Sequence, residues 1–250
     1  MADRGRDRDT VNDAVMPDTG PAADLDDFLD KWRGRWPEWR IAQVFLPEPQ
    51  RLPAEAWLAL LQEWTDAAWA GDDPTPGFAK LAWWQDELRG WAKGARRHPL
   101  GRVLLKQAAP WTTLAAHLSA LQAVREPLRR GDAPERLRPT LQTLADAMHD
   151  CERALFAESA AAAPGASNTD AFGLLALHAL WHREGAGDAA QVRIWAGQLL
   201  ATSSLRAATR PRRIHDALCR ARLQRVSAGA EAAPLSPPAA LWRSWRAARG

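Results

Sequence analysis

The chain has 250 residues, 46% of them hydrophobic and 25% charged, with a formal net charge of +3. That length supplies one sizeable core or two small ones, and no apolar run reaches the roughly 20 residues that would cross a bilayer. Two cysteines far apart in sequence, Cys151 and Cys219, argue for reduced thiols rather than a disulfide framework, and the absence of tyrosine removes phenolic donors from any site.

Residues 1–24 are polar, rich in Asp, Gly and Pro, and aperiodic, which predicts a disordered acidic arm without a secretory h-region. From Leu25 to Trp39, the apolar residues Leu25, Phe28, Leu29, Trp32 and Trp36 predict a short amphipathic helix ending near Pro37. After a brief segment broken by Pro47 and Pro49, a strong helix is expected from Pro53 to Trp69, stopped by Gly71. In the stretch FAKLAWWQDELRGWAKGARRHP (Phe78 to Pro99), Leu81, Trp84, Leu88 and Trp91 recur in three- and four-residue steps. They predict a core-facing helix that Gly94 can terminate. Further helices are expected over Leu100 to Ala109, Pro110 to Arg130, Thr140 to Ala163, Ala171 to Arg183, Ala189 to Ala208, Arg212 to Val226 and Pro238 to Arg249. The few β-branched residues never alternate, so no strand is expected. The predicted class is all-α: one helical domain over 25–228, then a Pro/Ala linker and a short basic helix over 229–250.

Charge is uneven. The chain is acidic up to Asp30 and strongly basic after Arg206. Such a tail suits acidic lipid headgroups, nucleic acid or the chain's own acidic arm.

The helix order and the tryptophan stretch resemble the squalene/phytoene synthase family, in particular bacterial members with weakened catalytic motifs. The resemblance is carried by Lys80, Leu81, Trp83, Trp84, Asp86, Glu87, Leu88, Gly94, Arg97, His98 and Pro99. Looser similarity extends from FLPEPQR (Phe45 to Arg51), through REPLRRGD and the helix after it, to WAGQLLATSSLRAATRPRR (Trp195 to Arg213). In all it touches about Phe45 to Arg225. It implies an isoprenoid-synthase-like bundle with a central cavity, here lined by the Trp57–Trp69 and Ala171–Arg183 helices. Working members of the family condense prenyl diphosphates, and two facing carboxylate clusters hold Mg²⁺ against the diphosphate. A hard cation bridges carboxylate and phosphate oxygens and neutralises the leaving group.

The first cluster would be Glu63 and Asp66, three apart and on one face of their helix. The plainer reading is the solvated side of an amphipathic helix. Where the second cluster belongs, the chain reads RAATRPRR, with Arg210, Arg212 and Arg213 in place of an Asp pair. Arginines bind diphosphate directly, but they do not ionise it, and the run reads equally as a solvated basic turn. Asp26, Asp27 and Asp30 spell DDxxD, yet they stand at the edge of the acidic arm, where a charged helix start explains them.

His178 and His182 have a metal-ligand spacing, with His149, Cys151 and Glu184 as nominal third ligands. Structural histidines are the plainer reading. Trp32 to Arg40 and the C-terminal LWRSWRAARG, which puts Leu241 and Trp245 on one face, interleave tryptophan with arginine. They suit core capping, stacked single strands or a membrane interface.

The reading favoured is a non-catalytic relative of that family, a lipid-binding or assembly module in the cytoplasm. Its partners would be an isoprenoid or other lipid, a protein, or the surface of the inner membrane. The alternative is an active prenyl-diphosphate transferase. No cofactor is expected, Mg²⁺ entering only if catalysis persists. Nucleic acid is disfavoured by the acidic arm.

Overall fold

The computed structural model describes residues 21–156, 171–182, 189–201 and 209–249. Every regular element among them is helical, so the chain is all-α as expected. Residues 1–20 of the expected acidic arm lie outside the described residues, as do Arg183 and Glu184.

The first helix, α1 (Pro21–Arg35), starts before the expected Leu25 and stops short of Pro37. Proline disfavours helical backbone at the residue before it, here Trp36. A single turn, α2 (Trp39–Ala42), runs into a 3-10 turn at Gln43–Phe45. Helix α3 (Glu48–Trp69) opens at Glu48 rather than Pro53. Pro53 lies in its second turn, where the missing N–H forfeits one early hydrogen bond and leaves the rest of the helix intact. Helix α4 (Thr75–Trp91) packs along α3, and Gly94, with φ of 80°, turns the chain after it.

The expected 100–109 helix is one turn, α5 (Gly101–Leu104). The expected 110–130 helix is broken into α6 (Trp111–His117), α7 (Ala120–Ala123) and α8 (Arg125–Arg130). The buried residues Leu114, Leu118, Leu121, Val124 and Leu128 would all fit one helical face, but the backbone tightens into i→i+3 turns at Leu118 N–H to the Ala115 carbonyl and Leu121 N–H to the Leu118 carbonyl. Helices α9 (Pro134–Phe156), α10 (Ala171–Trp181), α11 (Ala189–Ala201), α12 (Arg210–Ser227) and α13 (Pro237–Arg249) follow the expected order.

Helix α3 is the spine, touching α1, α4, α5, α7, α9 and α10. Along it, five indoles close a ring of aromatic contacts: Trp57 to Trp64, Trp84, Trp91, Trp111 and back to Trp57, with centroids 5.1–6.4 Å apart. Four of these contacts are edge-on and the one between Trp57 and Trp111 is tilted. Each is worth about 0.5–1.5 kcal/mol beyond the area it buries. Helix α13 is no loose appendage, since it lies along α12 and touches α2.

Candidate functional site

The carboxylates proposed for metal binding lie on the outward flank of α3, under a small cleft of about 110 Å³ between α1 and α3. Both already have cations. Glu63 is ion-paired with Lys80 of α4. Asp66 accepts from Arg35 at 2.7 Å and from Gln62 at 3.0 Å, and His182 Nε2 lies 3.1 Å away. Burial alone would raise the Asp66 carboxyl. The His182 ring nitrogen beside it and the Arg35 charge outweigh it and hold the group below the usual carboxylate range. The pair shares a helical flank, as the spacing predicts, but it is spent on joining α1, α4 and α10 to α3.

The three arginines do not converge. Arg212 points into the bundle, where it and Glu152 of α9 are each almost wholly buried. Its Nε and terminal nitrogen both donate to Glu152 Oε1. Trp57 Nε1 donates to the same oxygen at 2.7 Å, and Thr209 Oγ1 lies 3.2 Å from Oε2. One carboxylate thus knots α3, α9 and α12. Arg213 turns the other way, donating to the Ala247 carbonyl of α13 at 3.1 Å. Arg210 is half-buried at the start of α12.

The tryptophan stretch forms a second knot. Glu87, 1% exposed, accepts from Trp91 Nε1 (2.8 Å), from Arg97 Nε (2.9 Å), and from the backbone N–H groups of Arg97 (2.7 Å) and His98 (2.8 Å). Burial pushes its carboxyl up, but these donors more than reverse that and leave it lowered. His98 is wedged between Trp84 and Phe28, with centroids 4.6 and 4.8 Å away. Desolvation lowers its pKa to about 4, Glu87 opposing. Trp83 lies against Arg97. Asp86 faces outward to Arg89, and Lys80 is the partner of Glu63. Pro99 is half-buried in the turn that follows. The signature residues therefore fasten the chain reversal after α4.

Asp26, Asp27 and Asp30 are exposed on α1. Asp26 and Asp30 flank Arg33, whose other edge is held bidentately by Glu55 of α3 at 2.8 Å. They brace an inter-helix clasp. The rings of His178 and His182 are stacked at 6.1 Å, with His178 edge-on to Trp69 and Trp195. His149 and Cys151 belong to α9, and Glu184 lies outside the described residues.

Among the described residues, the one set of three metal-type donors that converges is His215, Asp216 and Cys219, fully buried and within 4.8 Å of one another. The sequence carries this set as HDxxC, which sequence reading passed over. Burial, then Arg212 and Arg222, hold the His215 imidazole well below its ordinary range. Burial, then Asp216, pushes the Cys219 thiol up. His215 packs on Trp36 at 4.6 Å and lies 3.6 Å from Cys219 Sγ. A cation there would face two guanidiniums, which opposes its binding. Arg222 itself holds Glu38 through two bonds of 2.8 and 2.6 Å. Sequence offers no signal for that pair or for Glu152–Arg212, because the partners lie 184 and 60 residues apart.

No helix among the described residues is long and apolar enough to cross a membrane. No family model, curated protein or solved structure matches the chain.

Proposed function

We propose that this chain is a non-catalytic relative of the squalene/phytoene synthases, its helical bundle kept as an assembly or lipid-binding module. One observation carries the reading. The groups that would chelate a metal-bound diphosphate are already committed: Glu63 to Lys80, Asp66 to Arg35 and His182, and Arg212 to Glu152. A divalent cation needs bare carboxylate oxygens on two sides, so these residues do not fit Mg²⁺ and no catalytic step runs through it.

The contact between α3 and α10 weights the choice within that reading. Where the resemblance implies a cavity, Trp69 meets His178 and Asp66 meets His182. These contacts close α3 onto the α10 segment where the lining was expected, which supports an assembly role over an interior lipid site.

The test is incubation of the full chain with farnesyl and geranylgeranyl diphosphates, with and without Mg²⁺, followed by mass spectrometry. Neither diphosphate should be consumed. Mg²⁺-dependent product would overturn the proposal and make the chain a prenyltransferase. Retained diphosphate without turnover would shift the reading from assembly to carriage.

A further inference from the structure

Helix α13 is built inside out for a solvent-facing helix. Its small residues Ala240 and Ser244 are buried, with Ala247 and Ala248 partly so, and they face the bundle. Its large apolar residues face out: Leu241, Trp242 and Trp245 are 49%, 53% and 41% exposed. At about 100° per residue, Leu241, Trp245, Arg249, Trp242 and Arg246 fall in that order within an arc of ~140°. Exposed apolar residues scattered singly need no explanation, but three on one arc of one helix do.

The same face is cationic. A cleft of about 510 Å³ between α12 and α13 is lined by Arg213, Arg220, Arg243, Arg246 and Arg249, together with both tryptophans, and by no acidic residue. No Asp or Glu follows Glu231 in the chain. The guanidinium of Arg246 lies over Trp242 at 4.8 Å, and that of Arg249 over Trp245 at 4.5 Å.

We propose that the α12–α13 face docks on an anionic lipid surface, with Leu241, Trp242 and Trp245 at headgroup depth and the arginines on lipid phosphates. Charge complementarity selects the occupant. A cleft carrying Arg243, Arg246 and Arg249 with no acid in its lining calls for a polyanion, and the outward Leu241 calls for one with hydrocarbon behind its phosphates. Single-stranded nucleic acid answers the charge but not the leucine. It would also need open ring faces for stacking, whereas each indole already has one face covered by its own arginine. Tryptophan with flanking arginine is the pair that suits the water–lipid boundary. The short helix does not act alone, because it is packed along α12, which forms the other wall of the cleft. This surface is distinct from Glu63 and Asp66, so it stands or falls apart from the loss of catalysis.

The test is flotation of the full chain with phosphatidylcholine vesicles, with and without phosphatidylglycerol. Wild type should float with the anionic vesicles at least about tenfold more strongly than with the neutral ones. Trp242→Ala/Trp245→Ala should reduce that binding by about tenfold or more, since a large apolar side chain carries at least one decade. Arg246→Gln and Arg249→Gln should each cost about fivefold. All four side chains are exposed, so thermal melts of the variants should match wild type. Equal partition of wild type and the double tryptophan variant would overturn the proposal. Indifference to lipid charge would do the same. Displacement of vesicle-bound protein by a single-stranded oligonucleotide would overturn it in favour of nucleic acid.

Discussion

Replacing Glu152 with Gln tests whether Arg212 is an internal strut or a ligand-binding group. The substitution keeps the side-chain shape and removes the charge. It strands a guanidinium 2% exposed beside a neutral amide, whose oxygen can still take the Oε1 position facing Arg212 and Trp57 but no longer carries the compensating charge. Removing one partner of a buried pair costs about 3–5 kcal/mol, most of it the penalty of the charge left behind. For a chain of this size each kcal/mol shifts the melting temperature by about 2–4 °C, so a fall of roughly 6–20 °C is expected. Circular dichroism melts would measure it. Glu152→Gln with Arg212→Met should recover much of the loss, because it removes the stranded charge as well. A single-variant shift of under about 2 °C, with no recovery in the double, would show that Arg212 is solvated. Its availability to a diphosphate would then have to be reconsidered.

Glu87→Ala should free the turn after α4, because Trp91 Nε1 and the amides of Arg97 and His98 lose their acceptor. A cost of about 3 kcal/mol is expected, read as faster hydrogen exchange at those two amides, and unchanged protection would refute it. His98 is neutral in the fold down to about pH 4, whereas in the unfolded chain it protonates near 6.5. Its contribution is therefore complete above that upper value and declines as pH falls between the two, by at most ~1.4 kcal/mol per unit. His98→Asn should flatten a melting profile across that window. Gly77→Ala would ordinarily strengthen a helix by about 1 kcal/mol. Here the added Cβ would meet the Ala67 carbonyl oxygen at 1.9 Å, so the variant should melt lower, and a rise would contradict the close α3–α4 approach. Cys151 and Cys219 are buried, with thiols raised first by that burial. Ellman's reagent should label neither until denaturant is added.

Helix positions were readable because the apolar residues keep their period. Leu81, Trp84, Leu88 and Trp91 are each at most 1% exposed, as their spacing predicts. The three-way break after Trp111 was not legible there, because the spacing of Leu114, Leu118, Leu121, Val124 and Leu128 suits one continuous helix equally well. Helix α13 escaped the same logic. Periodicity sends the largest apolar residues inward, whereas the close approach of α12 admits only alanine and serine. Glu63 and Asp66 share one flank of α3, but a spacing says nothing of Arg35 from α1, Lys80 from α4 and the His182 ring just past α10, which meet them there. The role of Glu87 was hidden for a related reason, since its acceptors serve a turn that exists only once Gly94 has reversed the chain.

The Glu38–Arg222 pair has a consequence for synthesis. Trp36 and Trp39 are buried in the finished molecule, and Arg222 covers the Trp36 ring at 4.2 Å while it holds Glu38. That arginine is 184 residues downstream. At ~5–20 residues per second, a ribosome needs about 10–40 s to reach it. For that interval the leading helices emerge with their indoles uncovered and a carboxylate awaiting its counter-ion. The nascent chain therefore passes through a stage in which its leading helices are incomplete, and they are finished only when α12 arrives to close the bundle.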